Sequence, residues 1–493
     1  MNKKKKAIII GSGIGGLGVA VRLARAGIDV DVFEKNEQAG GKVGEIRLND
    51  YRFDTGPSVF TMPELVEDLL GKEEAAKFSY NQLEASCQYF YEDGTELIAH
   101  SDIEEFIAEI ENKTCEKADN IKAFLQKSRT IYEVTSDVFV FNSIHDKKNL
   151  FRISSLKALL NFGKIDAFNT MHESNAKRFN DKRIIQLFDR YATYNGSDPY
   201  QVPGTLNIIP HLEHNLGTYF PEGGIYEIVQ SLKNKAEKEG VDFHFNTKVD
   251  EVVTQKSRVK GVRAGGTFYE ADYVISNADI NYFYKYLLKD PKLLEKTLKP
   301  EKSSSALIFY WGVKGNFPQL KLHNILFSAD YPGEFDHLFN RKDVFEDPTV
   351  YIFISSRAVP TDAPEGKENW YVMINAPENT GQDWDQLREK ARKHIIRKIK
   401  RMLGIDIQEY IEAEQVNDPV SIEEHTSSYH GSLYGNSSNS KFAAFNRHPN
   451  YSKKYKGLYF TGGSVHPGGG IPLALSSAKI VSDYILKKHK SKI

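Results

Sequence analysis

Six residues near the start of the chain, Gly11-Ser12-Gly13-Ile14-Gly15-Gly16, restrict its fold more than any other stretch. They follow the β-branched run Ala7 to Ile10 and precede an apolar-periodic segment carrying Leu17, Val21, Leu23 and Ala24. That order reads as strand, tight turn and helix. Gly11 permits the turn, Gly13 lets backbone approach a pyrophosphate, and Gly16 lets helix and strand pack closely. The helix start offers its free N–H groups to the anion. A second strand, Asp29 to Phe33, ends in Glu34, which stands 18 residues beyond Gly16. About 20 is the spacing of an acid that accepts hydrogen bonds from an adenosine ribose, so the segment reads as a dinucleotide site.

Composition removes several alternatives. Lys plus Arg number 65 and Asp plus Glu 66, so no basic field points to nucleic acid. The two cysteines, Cys87 and Cys115, have no C-x-x-C spacing, which argues against a disulfide framework and a cysteine-built metal site and makes a reducing cytoplasm the expected setting. With 40% hydrophobic residues and no apolar run near the roughly 20 residues of a spanning helix, the chain reads as globular. Lys3 to Lys6 ahead of Ala7 to Ile10 imitates a secretory signal, but glycines break the apolar stretch and Arg22 and Arg25 follow at once.

Other glycine segments say which dinucleotide. Gln38-Ala39-Gly40-Gly41-Lys42 and Phe53-Asp54-Thr55-Gly56-Pro57-Ser58 follow the second strand. At the far end, Gly457-Leu458-Tyr459-Phe460-Thr461-Gly462-Gly463 runs through His466-Pro467-Gly468-Gly469-Gly470-Ile471-Pro472 into a helix with Leu475, Ala478, Val481 and Ile485 on its apolar face. A second helix start facing the cofactor implies a ligand longer than one βαβ unit holds.

Together these segments resemble the FAD-containing amine-oxidase and phytoene-desaturase superfamily, and within it the bacterial carotenoid desaturases. The resemblance spans essentially the whole length. It implies an α/β fold: a Rossmann-like FAD-binding domain, a mixed α+β substrate domain and a helical, membrane-facing subdomain. By carry-over, Gly11, Gly13, Ile14, Gly15 and Gly16 take the pyrophosphate of FAD, and Glu34, with Lys35 beside it, the ribose. Gly41 and Lys42 flank the phosphates, and Gly56, Pro57, Ser58 and Val59 approach the flavin ring. Val249 contacts the adenine through its backbone. Gly463, Gly470, Ile471 and Pro472 present the C-terminal helix start to the flavin's pyrimidine edge.

The expected domains are residues 1–75, 218–290 and 430–493 for FAD, 76–130 and 291–429 for substrate, and 131–217 for the helical part. In the last, Phe151, Leu156, Leu160, Phe162 and Phe168 alternate with Lys147, Lys148, Arg152, Lys157 and Lys164. Residue pattern alone favours a helix packed on the core with solvated lysines. The resemblance, whose substrates are polyenes dissolved in membrane, favours an interfacial entrance, and with it a cytoplasmic enzyme held peripherally on the inner face of the cell membrane.

Removing a hydride from a hydrocarbon requires flavin, because no side chain accepts one. No nucleophile–base set or metal cluster stands out. His211 and His214 form H-x-x-H without a further ligand and read as ordinary residues. His466, inside the flavin-side motif, suits either loop orientation or acid–base work. The acid and arginine considered catalytic in some relatives fall on Ser154 and Lys157 here, so no catalytic residue is assigned. Amine oxidation on the same scaffold and a flavin-free chaperone of prenylated GTPases are the rivals. Glu34, Gly41 and the C-terminal glycines speak against the chaperone.

Overall fold

In the computed structural model, residues 4–150 and 161–490 are described, apart from the side chains of residues 147, 150, 162, 489 and 490. A five-stranded parallel sheet runs in the order Leu458–Phe460, Tyr273–Ser276, Lys6–Ile10, Asp29–Phe33, Asp242–His244. Ala7, Ile8 and Ile9 are fully buried because both faces of the sheet are covered, which is why the strand reads as an unbroken apolar run. On one face lie the first helix, Ile14–Arg25, and the C-terminal helix, Ile471–Lys490. They approach closely at Gly18, where a Cβ would stand 2.9 Å from the Cβ of Ala478. A three-stranded antiparallel sheet, Val249–Gln255, Arg258–Ala264 and Thr267–Glu270, covers the other face, with Val249, Val252 and Val262 packed against Ile8, Ile10 and Phe33.

The second layer is a mixed seven-stranded sheet: Ile411–Asn417, Ser305–Lys314, Lys367–Ala376, Val350–Phe353, His323–Leu326, Ala85–Phe90, Glu96–His100. Strand alternation gives it two apolar faces. Phe309, Trp311, Trp370 and Val372 pack on the helix Trp384–Leu403, whose buried stripe is Leu387, Ala391, Ile395 and Ile399. Asp383 caps that helix by accepting from the Gln386 N–H at 3.1 Å, and Gly404 ends it in the left-handed region at φ +71. The opposite face, with Ile308, Tyr310, Phe353 and Tyr371, turns toward the parallel-sheet core.

Helices form the third part. Phe106, Ile110, Phe124, Ile184, Leu187 and Phe188 share one buried cluster. The helices Ile103–Lys113 and Ala118–Thr135 bury their apolar stripes in this cluster, which they share with Tyr89, Leu97 and Ala99 of the seven-stranded sheet. At its base Arg190 and Glu213 form a buried ion pair at 3.2 Å. The hydroxyls of Tyr191 and Tyr194 donate to the same carboxylate at 2.8 and 2.7 Å, satisfying a charge that burial would otherwise penalise. The Tyr191 hydroxyl also meets His214 Nε2 at 2.7 Å, and His211 Nδ1 meets the Asn215 amide at 2.7 Å. The two rings of the H-x-x-H pair are therefore engaged separately, and among the described residues no group of three or more His, Cys, Asp and Glu converges as a metal site.

Candidate active site

The carboxyl ends of the parallel strands open on a cleft walled by three glycine segments, the place where open α/β sheets take their ligands. In the first wall, Gly11 has φ +92, and a Cβ on Gly16 would stand 2.2 Å from the Gly11 carbonyl oxygen, so glycine is obligatory where helix meets strand. Gly13 is the N-cap of the first helix and offers no side chain to its free N–H groups, while Ile14 and Gly15 open the first turn. Those donors face the cleft as an uncapped anion cradle.

Glu34 is 5% exposed and sits beside this turn. One carboxylate oxygen accepts from the Ser12 N–H at 2.9 Å and the Ser12 hydroxyl at 2.8 Å, and the other accepts from the Asn36 N–H at 3.0 Å. A carboxylate offers about four acceptor sites, so capacity remains for a ribose hydroxyl. Val249 stands behind, 4% exposed at the start of its strand, and the Thr247 N–H donates to the Glu34 carbonyl at 2.8 Å. Lys35 leaves the cleft: its ammonium donates to the Glu424 carbonyl at 2.5 Å and the Ser427 hydroxyl at 2.9 Å.

Gly40 and Gly41, both at positive φ, form the second wall, the Gly40 N–H donating to the Ser12 carbonyl at 3.0 Å. The part-buried Lys42 ammonium donates to the carbonyls of Ser432, at 3.2 Å, and Leu433, and burial pulls its pKa down to about 8 against the opposing pull of Asp279. A Cβ on Gly56 would stand 1.9 Å from the Lys42 carbonyl oxygen. Pro57, Ser58 and Val59 follow, Pro57 and Val59 half-buried. The Ser58 hydroxyl meets the Tyr351 hydroxyl at 2.6 Å, and the latter meets His323 Nδ1 at 2.7 Å, tying this loop to the seven-stranded sheet.

The third wall belongs to the C-terminal motif. Gly463 packs on Gly469, with 3.2 Å between its notional Cβ and the Gly469 Cα. Gly470 has φ +102, is exposed, and faces open space for 4 Å, directly before Ile471 and the half-buried Pro472 of the C-terminal helix. Asn277, at the end of the Tyr273–Ser276 strand, ties this wall to the first. Its side chain would meet a Cβ at Gly13 at 2.6 Å, at Gly15 at 2.8 Å and at Gly462 at 2.5 Å, and its amide donates to the Thr461 carbonyl at 3.2 Å. Its only signal in the sequence is a polar residue at the carboxyl end of a strand.

His466 is buried, with Nε2 at 2.9 Å from the Asn142 carbonyl, and burial lowers its pKa to about 4. It is a neutral tether of the loop. Burial also lowers His214 and His448 to about 4 and His323 to about 3. The unfolded chain takes these protons near pH 6.5, whereas the folded chain takes them near pH 3 to 4. Between those values the unfolded state binds more protons, so stability is full above pH 6.5 and falls as pH drops through the window. Thermal melts at pH 7 and pH 5 check this; an unchanged midpoint would contradict it.

A dinucleotide-binding α/β protein, with glycine walls from both ends of the chain, is the class this geometry defines. A model of the flavin-containing amine oxidoreductase family matches residues 14–486. The chain is 50% identical over 483 residues to a 1-hydroxycarotenoid 3,4-desaturase of Flavobacterium sp. (strain P99-3), covering 98% of this chain and 99% of that protein. It is 31% identical over 493 residues to a 4,4'-diaponeurosporene oxygenase of Staphylococcus aureus (strain MRSA252), with 98% of each covered. Among solved structures, putrescine oxidase bound to putrescine aligns with a TM-score of 0.63 at 13% identity, covering 98% of this chain and 99% of that one. Cyclohexylamine oxidase from Brevibacterium oxydans IH-35A aligns with a TM-score of 0.62 at 14% identity, covering 99% and 100%. At that identity the two structures speak for the fold alone.

The chain belongs to the flavin-containing amine oxidoreductase family, and within it to the carotenoid-desaturase branch. Its cofactor is FAD. The residues fit that group: an uncapped helix start and Gly41 for the diphosphate, Glu34 for the ribose, and the open space before Gly470 for the ring.

Proposed function

We propose that the protein is a carotenoid desaturase that introduces a carbon–carbon double bond into a long polyene, at the 3,4 position of a 1-hydroxylated substrate. The observation that carries this reading is 50% identity over 98% of the chain to a protein of that activity. FAD supplies the hydride acceptor; the chain's own residues do the rest. Gly470 leaves room for the ring, Gly56 lets its loop close on the Lys42 carbonyl, and Ser58 holds that loop against Tyr351. Ile308, Tyr310, Phe353 and Tyr371 make the sheet face that packs on the cofactor layer apolar and aromatic, which keeps water from that side. His466 is held by Asn142 and ties its loop down, and Ser154 and Lys157 lie outside the described residues. Presenting phytoene, lycopene and 1-hydroxylated acyclic carotenoids in liposomes tests the reading. A red-shifted product from the hydroxylated substrate supports it, and conversion of phytoene alone overturns the 3,4 assignment.

Such substrates reside in membrane, and we infer that the enzyme works peripherally on the inner face of the cell membrane. Among the described residues no helix is long and apolar enough to cross a membrane. Residues 151–160 of the basic, apolar stretch lie outside the described residues, Ile165 and Met171 are buried, and Phe168 is 70% exposed. Phe442 and Phe445, beside Lys441, are 68% and 51% exposed, and Phe445 meets Phe139 edge-on at 5.5 Å. This aromatic patch is suited to a bilayer interface. Changing Phe442 and Phe445 to Ser is expected to lower sedimentation with liposomes at every ionic strength, whereas Lys441→Glu acts mainly at low salt. Parent-like sedimentation of the double variant would remove the patch from the account.

A further inference from the structure

The segment Ser432 to Asn439 contains no charged residue, yet it gathers three cations on neutral oxygens. Lys42 donates to its first two carbonyls. The buried Lys302 ammonium donates to Asn436 Oδ1 at 2.9 Å and to the carbonyls of Thr297 and Pro300 at 2.9 and 3.1 Å. Arg447, 5% exposed, donates to the Tyr434 carbonyl at 3.5 Å, the Ser438 hydroxyl at 3.3 Å and Asn195 Oδ1 at 3.2 Å. Lys42 and Lys302 have Asp279 to oppose their charge. Among the described residues no carboxylate pairs with Arg447.

The place of this guanidinium matters. A Cβ on Gly468 would stand 3.2 Å from Arg447 Cζ, and a Cβ on Gly469 would stand 2.5 Å from the Tyr434 ring. Arg447 is therefore packed against the loop that leads into Gly470 and the C-terminal helix start. A buried guanidinium held only by neutral oxygens keeps its net positive charge uncompensated within the protein.

We propose that Arg447 supplies the positive potential that makes the bound flavin a strong hydride acceptor. In the reaction, two electrons and one hydrogen nucleus leave one carbon of the polyene as hydride, and the neighbouring carbon loses a proton to solvent. A bound flavin that took up this hydride would carry one more unit of negative charge. A hydrocarbon has no lone pair to assist its departure, so the acceptor must be electron-poor. A fixed cation in a water-poor site lowers the energy of that negative charge without reorganising when it forms. Burial lowers the Arg447 pKa to about 10, which leaves the group charged at neutral pH.

The inference rests on the flavin assignment and is independent of the substrate, which enters neither readout. Flavin-loaded protein is titrated with sulfite, which adds to the oxidised ring and makes it anionic, and its two-electron midpoint potential is measured. Arg447→Met is expected to weaken sulfite binding about tenfold and to lower the potential by the corresponding ~30 mV. Arg447→Lys is expected to stay close to the parent. Asn195→Asp keeps the guanidinium but sets a carboxylate against it, and is expected to shift both readouts in the direction of Arg447→Met. Parent-like sulfite affinity and potential in flavin-loaded Arg447→Met would overturn the proposal. If that variant does not retain flavin, parent-like values in flavin-loaded Asn195→Asp overturn it.

Discussion

Gly470→Val is expected to fold, to purify with little flavin, and to lose about 100-fold or more of its turnover. No protein atom lies within 4 Å of where the new Cβ would stand, so the fold itself has room for a side chain. The backbone does not favour one: at φ +102 a β-branched residue is strained by about 1–3 kcal/mol. The larger effect falls on the cofactor. The open space before the C-terminal helix start is where the ring fits, and a displacement of about 1 Å from a reacting geometry can reduce rate 10²-fold. Visible absorbance of the purified variant and its turnover check this together. Normal flavin content with normal turnover would show that the glycine serves only the turn.

Glu34→Ala is expected to leave a folded but nearly colourless protein. The substitution removes the acceptor of the Ser12 N–H, the Ser12 hydroxyl and the Asn36 N–H, as well as the free site facing the ribose. Each hydrogen bond to a charged group contributes about 1.5–3 kcal/mol, so FAD affinity should fall by roughly 10- to 100-fold for the ribose contact alone. Glu34→Gln keeps an oxygen acceptor and should recover part of the binding. Reconstitution of the apoprotein with FAD, followed by fluorescence quenching, measures the difference; parent-like affinity in Glu34→Ala would remove this residue from the site.

How much of this was legible in the sequence depended on distance along the chain. The glycine turn, the first helix and Glu34 lie within 24 residues, and local periodicity was enough to order them. The glycines at 463 to 470 were legible too, because a strand, a turn and an apolar helix follow one another there. What escaped were side chains whose role exists only after folding. Lys35 sits next to Glu34, yet its ammonium is drawn 392 residues away to Ser427 at the end of another helix. Asn277 reads as an ordinary residue after a strand until that strand pairs with Lys6–Ile10 and brings its amide against Gly13 and Gly462. Arg447 carries no local motif, and its partner Asn195 is 252 residues distant. The boundary at residues 130 and 131 falls inside the helix Ala118–Thr135, because an amphipathic stripe shows that a helix buries a face without showing where it ends or which neighbour covers it.

The central claim is that this cleft uses flavin to take a hydride from a hydroxylated polyene. Its most direct test is an anaerobic single turnover, in which flavin-loaded enzyme is mixed with a 1-hydroxylated acyclic carotenoid in liposomes. The flavin absorbance and the product mass are followed together. The account predicts that the absorbance bleaches in step with a product two hydrogens lighter than the substrate, one new double bond for each flavin reduced. A product that forms without bleaching, or one that gains oxygen instead of losing hydrogen when air is admitted, would contradict it.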